Sequence, residues 1–317
     1  MVVLGERYTF SPNEERLLKE RFGKFIKLRV TSKTIQEIRE LISDRRFSVV
    51  VLNTKKRLPI ELIEYLKKLE AIGVDYISIE EFLEKYLKKC LVSSDRDDKQ
   101  IFLNGISPYT KFQYFQKRVV DYLAIIILLI PTLIAIIYSY YRVKIKRESP
   151  EGSIFFKQKR VGKDKKEFWC IKLRSMGVDA EKNGAKFAQD NDPRAFPWGK
   201  TIRKYKIDEL IQLWNVAMGE MHFVGPRPER MIWVKEFEKS IPFYDQRHVV
   251  ASGITGLAQI KYQYGRGRLD AKEKLTYDLY YIKNWSLKLE LEIICETAIF
   301  ILKMLKSKLL NTISFKL

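Results

Sequence analysis

The sequence predicts an α+β protein in two parts, a small α/β domain followed by a larger mixed domain, with a membrane-embedded helix between them. Three observations predict this. Short β-branched runs alternate with helical periodicity near the N-terminus. A 20-residue stretch without a charge, Tyr122 to Tyr141, occupies the middle. Beyond residue 150 the chain is polar and punctuated by glycine and proline. With 317 residues there is material for about two domains of ~100–200 residues each.

In the first part, FSVVVLN (47–53) and VDYISI (74–79) read as strands, and PIELIEYLKKLEAIG (59–73) and EEFLEKYLKKC (80–90) as helices. A strand–helix–strand order implies parallel pairing. No GxGxxG or other phosphate loop is present, so a docking or regulatory role is expected for residues 1–105 in preference to nucleotide binding. SSDRDDKQ (93–100) reads as an exposed linker, and 106–116 as the connection to the apolar run.

Twenty apolar residues suffice for a helix to cross a bilayer. Two features complicate a simple crossing. Pro131 sits mid-run, where it removes a backbone hydrogen bond and kinks a helix. Basic residues flank both ends, Lys117 and Arg118 before the run and Arg142, Lys144, Lys146 and Arg147 after it. The positive-inside rule puts both ends on the cytoplasmic face. A re-entrant helix over 117–147 satisfies both features; a single-pass anchor with a tolerated proline stays open.

The net charge of +20 is uneven, +5 over residues 1–116 and +15 over 117–317. The second part therefore calls for an anionic partner. No nucleic-acid module accompanies the charge, so nucleic acid is not expected. Cys90, Cys170 and Cys295 are far apart and in no CxxC spacing, which fits reduced, cytosol-facing thiols and no zinc site. The N-terminus lacks a basic region followed by an apolar run, so no signal peptide is expected.

In the domain from 148 to 317, FFKQKRVG (155–162) and EFWCIKLRSM (167–176) read as extended pieces. IDELIQLWNVAMG (207–219) reads as a helix with Leu210, Leu213, Trp214 and Ala217 on one side, and ERMIWVKEFEKS (229–240) as another. WSLKLELEIICETAIFILKMLKSKLL (285–310) reads as an amphipathic helix, either lying on the membrane surface or packed in the core. Asp208 and Glu209 stand at a helix start, where the helix dipole keeps a carboxylate ionised. An ionised aspartate can attack phosphorus and hold a phosphoryl group covalently. Beside a pyrophosphate the pair calls for a hard cation, and Mg²⁺ fits as a ligand of Asp208 and Glu209. Taken alone, such a pair more often charges the first helical turn. Cationic residues near glycine or proline change that weighting: Arg160, Lys172, Arg174, Arg203 and Arg227, the last between Pro226 and Pro228. Arginine forks bind phosphate oxygens in pairs.

Together these motifs resemble the bacterial sugar transferases, the monotopic phosphoglycosyl transferases that begin exopolysaccharide and glycan assembly. The resemblance runs from KRVVD (117–121), with Asp121, through Pro131, FFKQKRVG, IKLRSM (171–176), DAEKNGAKFAQDNDPRA (179–195) and IDELIQLWNV. It continues through GEMHFVGPRPER (219–230), GITGLAQIKYQYG (253–265) and KLTYDLYYIKNWSL (274–287). The resemblance implies a re-entrant helix broken at Pro131 and Asp208 as the nucleophile, with Glu209 as its partner. It further implies Mg²⁺ as cofactor and substrate phosphate at Lys172, Arg203 and Arg227. The donor would be a nucleotide sugar, a UDP-hexose such as UDP-glucose or UDP-galactose, releasing UMP. The acceptor would be polyprenyl (undecaprenyl) phosphate, at the cytoplasmic face of the bacterial inner membrane. It also implies that residues 1–105 are a shortened Rossmann-like domain. Ile211, Phe196, Ala251-Ser252 and Glu290 depart from the usual pattern without removing a candidate catalytic group. Pairing into a homodimer is left open, and the opposing reading is a catalytically silent membrane scaffold. His222 and His248 are expected to be neither metal ligands nor general bases.

Overall fold

The computed structural model describes residues 1–31, 33–43, 47–92, 105–149, 151–182, 184, 192–262 and 267–314. The expected linker at 93–100 lies outside them, as do parts of the motifs at 179–195 and 253–265. The chain forms two compact units, Met1–Leu91 and Val92–Leu317.

The first unit is a four-stranded parallel sheet in the order β2-β1-β3-β4, from Val2–Leu4 (β1), Ile26–Leu28 (β2), Val49–Leu52 (β3) and Asp75–Ser78 (β4). Helices α1 (Pro12–Phe22), α2 (Thr34–Ser43), α3 (Ile60–Ala71) and α4 (Ile79–Phe82) follow the strands. Alternation along β1 and β3 divides the core: Val3, Val49 and Val51 face Phe10, Leu18 and Phe82, whereas Val2, Leu4 and Val50 face Ile38, Leu62 and Leu66. A parallel strand buried on both faces reads as a continuous apolar run, as VVV does in β3. At the carboxyl end of the sheet Asn53 closes the gap between β1 and β3. It accepts from Tyr8 N at 2.7 Å and donates to the carbonyls of Gly5 and Tyr8.

The second unit contains a long helix, α5 (Lys111–Tyr140), capped by Thr110 and Gln113 and extended by a π turn to Ile145. It is long and apolar enough to cross a membrane. The helix continues through Pro131, so the break expected there is not seen, and Thr132 Oγ1 donates to Leu128 O at 2.7 Å beside it. Ile126, Ile127 and Ile130 in the middle are largely exposed. Both ends are buried against the same unit. Near the start, Lys117 and Asp121 are sealed from solvent. Near the end, Ala135 and Val143 pack with Leu173, Trp198 and Ile202, and Ser139 Oγ accepts from Trp198 Nε1 at 3.0 Å.

The remaining elements are an antiparallel hairpin, β5 (Phe155–Val161) and β6 (Glu167–Leu173), and a parallel pair, β7 (His222–Val224) and β8 (Gly253–Thr255). Around them lie α6 (Pro197–Lys204), α7 (Leu213–Ala217), α8 (Met231–Ser240), α9 (Leu257–Lys261), α10 (Arg268–Lys283) and α11 (Leu287–Ser314). The segment expected as one helix over 207–219 is a 3-10 turn, Ile207–Gln212, followed by α7. That register buries Asp208, Glu209 and Gln212 and leaves Trp214 60% exposed, so Trp214 is not on the packed side. In α11 the first turns pack through Leu289 and Ile293, while Leu291, Ile299, Leu302 and Leu305 remain exposed.

The start of α5 is locked by a buried charge. Lys117 Nζ donates to Val224 O at 2.5 Å, to the Tyr281 hydroxyl at 2.8 Å and to Glu290 Oε1 at 2.6 Å, which uses all three ammonium hydrogens. Glu290 Oε2 accepts from Tyr281 at 2.8 Å and from Trp285 Nε1 at 3.0 Å. Removing one partner of such a pair strands the other charge. Lys117→Met is expected to cost on the order of 3–5 kcal/mol in thermal unfolding of the detergent-solubilised protein. Adding Glu290→Gln should recover about half of that loss, because an amide needs no counter-charge.

Candidate active site

Asp208 and Glu209 enter the site from a sharp turn. Lys206 adopts a left-handed conformation (φ 58°), turning the chain from α6 into the 3-10 turn. In a 3-10 turn residues i and i+3 eclipse, so Glu209 and Gln212 share the inner face. The turn packs on β6. The approach of α6 itself depends on Gly199, where a Cβ would sit 1.9 Å from the Ser175 carbonyl oxygen.

Glu209 is the hub. Lys172 on β6 donates to Oε1 at 2.5 Å. Arg227 donates in a fork, Nη2 to Oε1 at 2.7 Å and Nη1 to Oε2 at 3.2 Å. Arg227 Nη1 also donates to Gln259 Oε1 on α9 at 3.1 Å. Although burial works the other way, the Arg227 and Lys172 charges hold the Glu209 carboxyl well below its ordinary range. Arg227 is raised in turn, chiefly by Glu209.

Asp208 is the opposite case. It is buried, and its Oδ1 has no hydrogen-bond partner. Burial first and the neighbouring Glu209 second push it up to about 6, against the pull of Lys172, Arg203 and Lys206. The result is an aspartate with an open oxygen beside a carboxylate that is fully engaged.

The loop carrying Arg227 runs Gly225-Pro226-Arg227-Pro228 and lies against the second glycine-rich segment. A Cβ on Gly253 would come within 2.0 Å of Gly225 N, and one on Gly256 within 2.2 Å of Gly225 O. This backbone-on-backbone contact explains the glycines of GITG. Gly225 N donates to Thr255 O at 2.8 Å and Gly253 N to Pro226 O at 2.9 Å.

The residues singled out from the sequence separate into groups. Asp208, Glu209, Lys172 and Arg227 come together, and Arg203 acts on Asp208 through space. Arg160 supports the loop instead, donating to Pro228 O at 3.3 Å and facing Glu229 at 3.7 Å. Arg174 points elsewhere, into the carbonyls of Ser149 and Glu151 and the Ser149 hydroxyl. Arg118 donates to Val216 O at 2.8 Å, and Asp121 accepts from Phe223 N and His222 Nδ1, each at 2.7 Å. Pro131 lies in the exposed part of α5. His222 is lowered by burial, and His248 is lowered to about 3 by burial and the neighbouring Arg247. Lys206, Gln259, Arg247 and Asp278 escaped the sequence reading. Asp278 left a signal, the one charged residue in the run LTYDLYYI (275–282).

A family model described as bacterial sugar transferase matches residues 112–304, more than half of the chain. The chain belongs to the bacterial sugar transferase family. It is 45% identical over 186 residues to the UDP-N-acetylgalactosamine-undecaprenyl-phosphate N-acetylgalactosaminephosphotransferase of Aeromonas hydrophila, covering 58% of this chain and 43% of that protein. It is 41% identical over 163 residues to the UDP-glucose:undecaprenyl-phosphate glucose-1-phosphate transferase of Xanthomonas campestris pv. campestris, covering 50% and 34%. Against the putative undecaprenyl-phosphate N-acetylgalactosaminyl 1-phosphate transferase of Bacillus subtilis (strain 168), identity is 42% over 161 residues, covering 50% and 88%. The match thus spans less than half the length of the first two relatives. The site of this bacterial sugar transferase lies wholly within the matched span.

The donor set fits magnesium in one way. Both Glu209 oxygens already receive cationic donors, so the carboxylate left for a cation is that of Asp208, whose buried Oδ1 has no hydrogen-bond partner. Among the described residues no group of three or more His, Cys, Asp or Glu gathers. One carboxylate plus substrate phosphates is a set Mg²⁺ accepts.

The raised Asp208 has a stability consequence. Its folded pKa, about 6, lies above the ordinary 3.8. Above about pH 6 the folded state carries a buried charge it resists; below about 4 both states are protonated and the penalty vanishes. Asp208→Asn should therefore unfold at higher temperature than wild type at pH 7.5, by on the order of 1–3 kcal/mol. The gap should close as the pH falls to 4, measured by thermal unfolding at both pH values.

Proposed function

We propose that this chain is a phosphoglycosyl transferase that moves a sugar 1-phosphate from a UDP-hexose to undecaprenyl phosphate. The observation that carries this reading is the pairing of a buried Asp208 with an unpartnered oxygen and a Glu209 fixed between Lys172 and Arg227. The names of the relatives, which differ in the sugar moved, support the reaction class.

In the first half-reaction Asp208 bonds to the β-phosphorus. The bond from that phosphorus to the oxygen shared with the α-phosphate breaks, and UMP leaves with that oxygen. In the second, an oxygen of undecaprenyl phosphate attacks the same phosphorus and Asp208 departs as a carboxylate. The product is a sugar on undecaprenyl diphosphate. Two half-reactions let one phosphate-sized site serve two bulky substrates in turn. Arg227, whose outer side is open to solvent, and Arg203 offer positive charge to the phosphoryl oxygens as charge develops on them. Magnesium, held by Asp208 and the substrate phosphates, would neutralise the pyrophosphate.

The membrane helix belongs to the same reading. Lys117 and Trp198 bind the two ends of α5 to one unit, which supports a helix that enters and leaves by the cytoplasmic leaflet. A crossing helix would have to carry one of those ends away from its partners. Single cysteines at Lys111 and Lys146 in a cysteine-free background should both react with a membrane-impermeant maleimide in inside-out vesicles only; labelling of one from the opposite side would establish a crossing helix.

The chemistry is tested by UMP release. Purified protein with Mg²⁺ and undecaprenyl phosphate should release UMP from UDP-glucose, UDP-galactose or an N-acetylated analogue and form a lipid-linked sugar. Asp208→Asn should lose at least about 10³-fold in rate, as expected when a covalent nucleophile is removed. UMP release persisting in Asp208→Asn would sink the aspartyl route.

A further inference from the structure

The loop 225–228 is short of donors. Pro226 and Pro228 have no N–H, so the main chain around Arg227 has to be held by its carbonyls. The carbonyls of Pro226, Arg227 and Pro228, and that of Val224 just before the loop, each have a partner. Val224 O accepts from Lys117, with the Tyr281 hydroxyl 3.1 Å away. Pro226 O accepts from Gly253 N and Pro228 O from Arg160. The carbonyl of Arg227 itself accepts from Arg247 Nη2 at 2.9 Å.

Arg247 is an unusual group for that task. It is 5% exposed and reaches the carbonyl from a 3-10 turn, Tyr244–His248, twenty positions away in sequence. Its charge is met by Asp278 on α10, which is 2% exposed and accepts from Nε at 3.1 Å and Nη2 at 2.8 Å. Its Nη1 donates to the Tyr244 hydroxyl at 3.0 Å. A buried ion pair of this kind adds little stability over well-packed apolar residues. Stability alone therefore gives no reason for it, whereas its reach to the Arg227 carbonyl does.

We propose that Arg247, fixed by Asp278, is a positioning residue: it holds the Arg227 main chain so that the Arg227 guanidinium meets both Glu209 and the transferred phosphate. The proposal rests on the reaction class given above. The planar guanidinium satisfies Asp278, Tyr244 and the Arg227 carbonyl at once; an ammonium at the same place is a point donor and cannot reproduce that geometry. A displaced guanidinium is costly, since a 1 Å misplacement at a reacting group can lower a rate by on the order of 10²-fold.

The test is a double-mutant cycle on UMP release with Arg247→Lys, Arg227→Lys and the double variant, read as kcat and donor KM in single- and multiple-turnover assays. Thermal unfolding in detergent accompanies each variant. Arg247→Lys is expected to keep the fold and lower kcat by on the order of 10- to 100-fold. The double variant should then be no slower than Arg227→Lys by more than about twofold, because Arg247 acts through Arg227. Effects that multiply, or an Arg247→Lys enzyme at wild-type kcat, would overturn the proposal. Should Arg247→Lys fail to fold, Asp278→Asn runs the same cycle, keeping an acceptor for Arg247 while removing its counter-charge. Wild type silent with every donor would overturn the reaction class instead; an active wild type with uncoupled Arg247 overturns the positioning role alone.

Discussion

The Glu209 carboxylate ties together four pieces of chain: strand β6 through Lys172, the 3-10 turn itself, the proline-flanked loop through Arg227, and, one step on, α9 through Gln259. Without those donors Glu209 would be a second buried carboxylate next to Asp208, and like charges so placed cannot both stay ionised without a large penalty. With them, Glu209 stays ionised at ordinary pH, and the proton affinity of the pair is concentrated on Asp208. The division of labour between the two acids thus comes from their partners, not from their residue type.

The loop that supplies Arg227 is held from two directions. From one side comes α5, whose Lys117 takes the carbonyl of Val224 and whose Asp121 takes the amide of Phe223. These side chains give β7 an acceptor and a donor on top of its pairing with β8. From the other side comes α10, with the Tyr281 hydroxyl beside the Val224 carbonyl and Asp278 behind Arg247. Backbone contact with Gly253 and Gly256 closes the gap between them. Precision in a loop that gives up two of its N–H donors to proline comes from buried charge, a poor choice if stability were the only aim.

Much of this was legible in the sequence, and what was not has physical reasons. β3 and the apolar body of α5 announced themselves as continuous apolar runs, the first because it is buried on both faces and the second because it is long and apolar enough to cross a membrane. β1 and β2 are three residues each and carry no periodicity to detect. Asp208 and Glu209 were readable as a charged turn at a helix start, but not as a 3-10 turn. Spacing of 3.0 against 3.6 residues decides whether Trp214 packs or faces solvent, and six residues cannot distinguish the two. Arg160 and Arg174 sit near glycine and proline just as Arg227 does. Only the fold reveals that Arg174 faces main-chain carbonyls while Arg227 faces a carboxylate. Glu290 read as a minor departure from a pattern, yet it is the counter-ion of Lys117.

That last pair bears on how the apolar helix should be regarded. A helix that served only as an anchor would need apolar residues facing lipid and nothing specific facing the protein. Here Lys117 and Asp121, one helical turn apart on one face, are both fully buried and bind the strand that leads into Gly225. Burying a lysine is unfavourable unless every hydrogen finds an acceptor, and all three do. The seat of the helix and the seat of the Arg227 loop are therefore one structure. A shift of α5 cannot leave the Val224 carbonyl where it is, and Arg227 lies only a few residues beyond it.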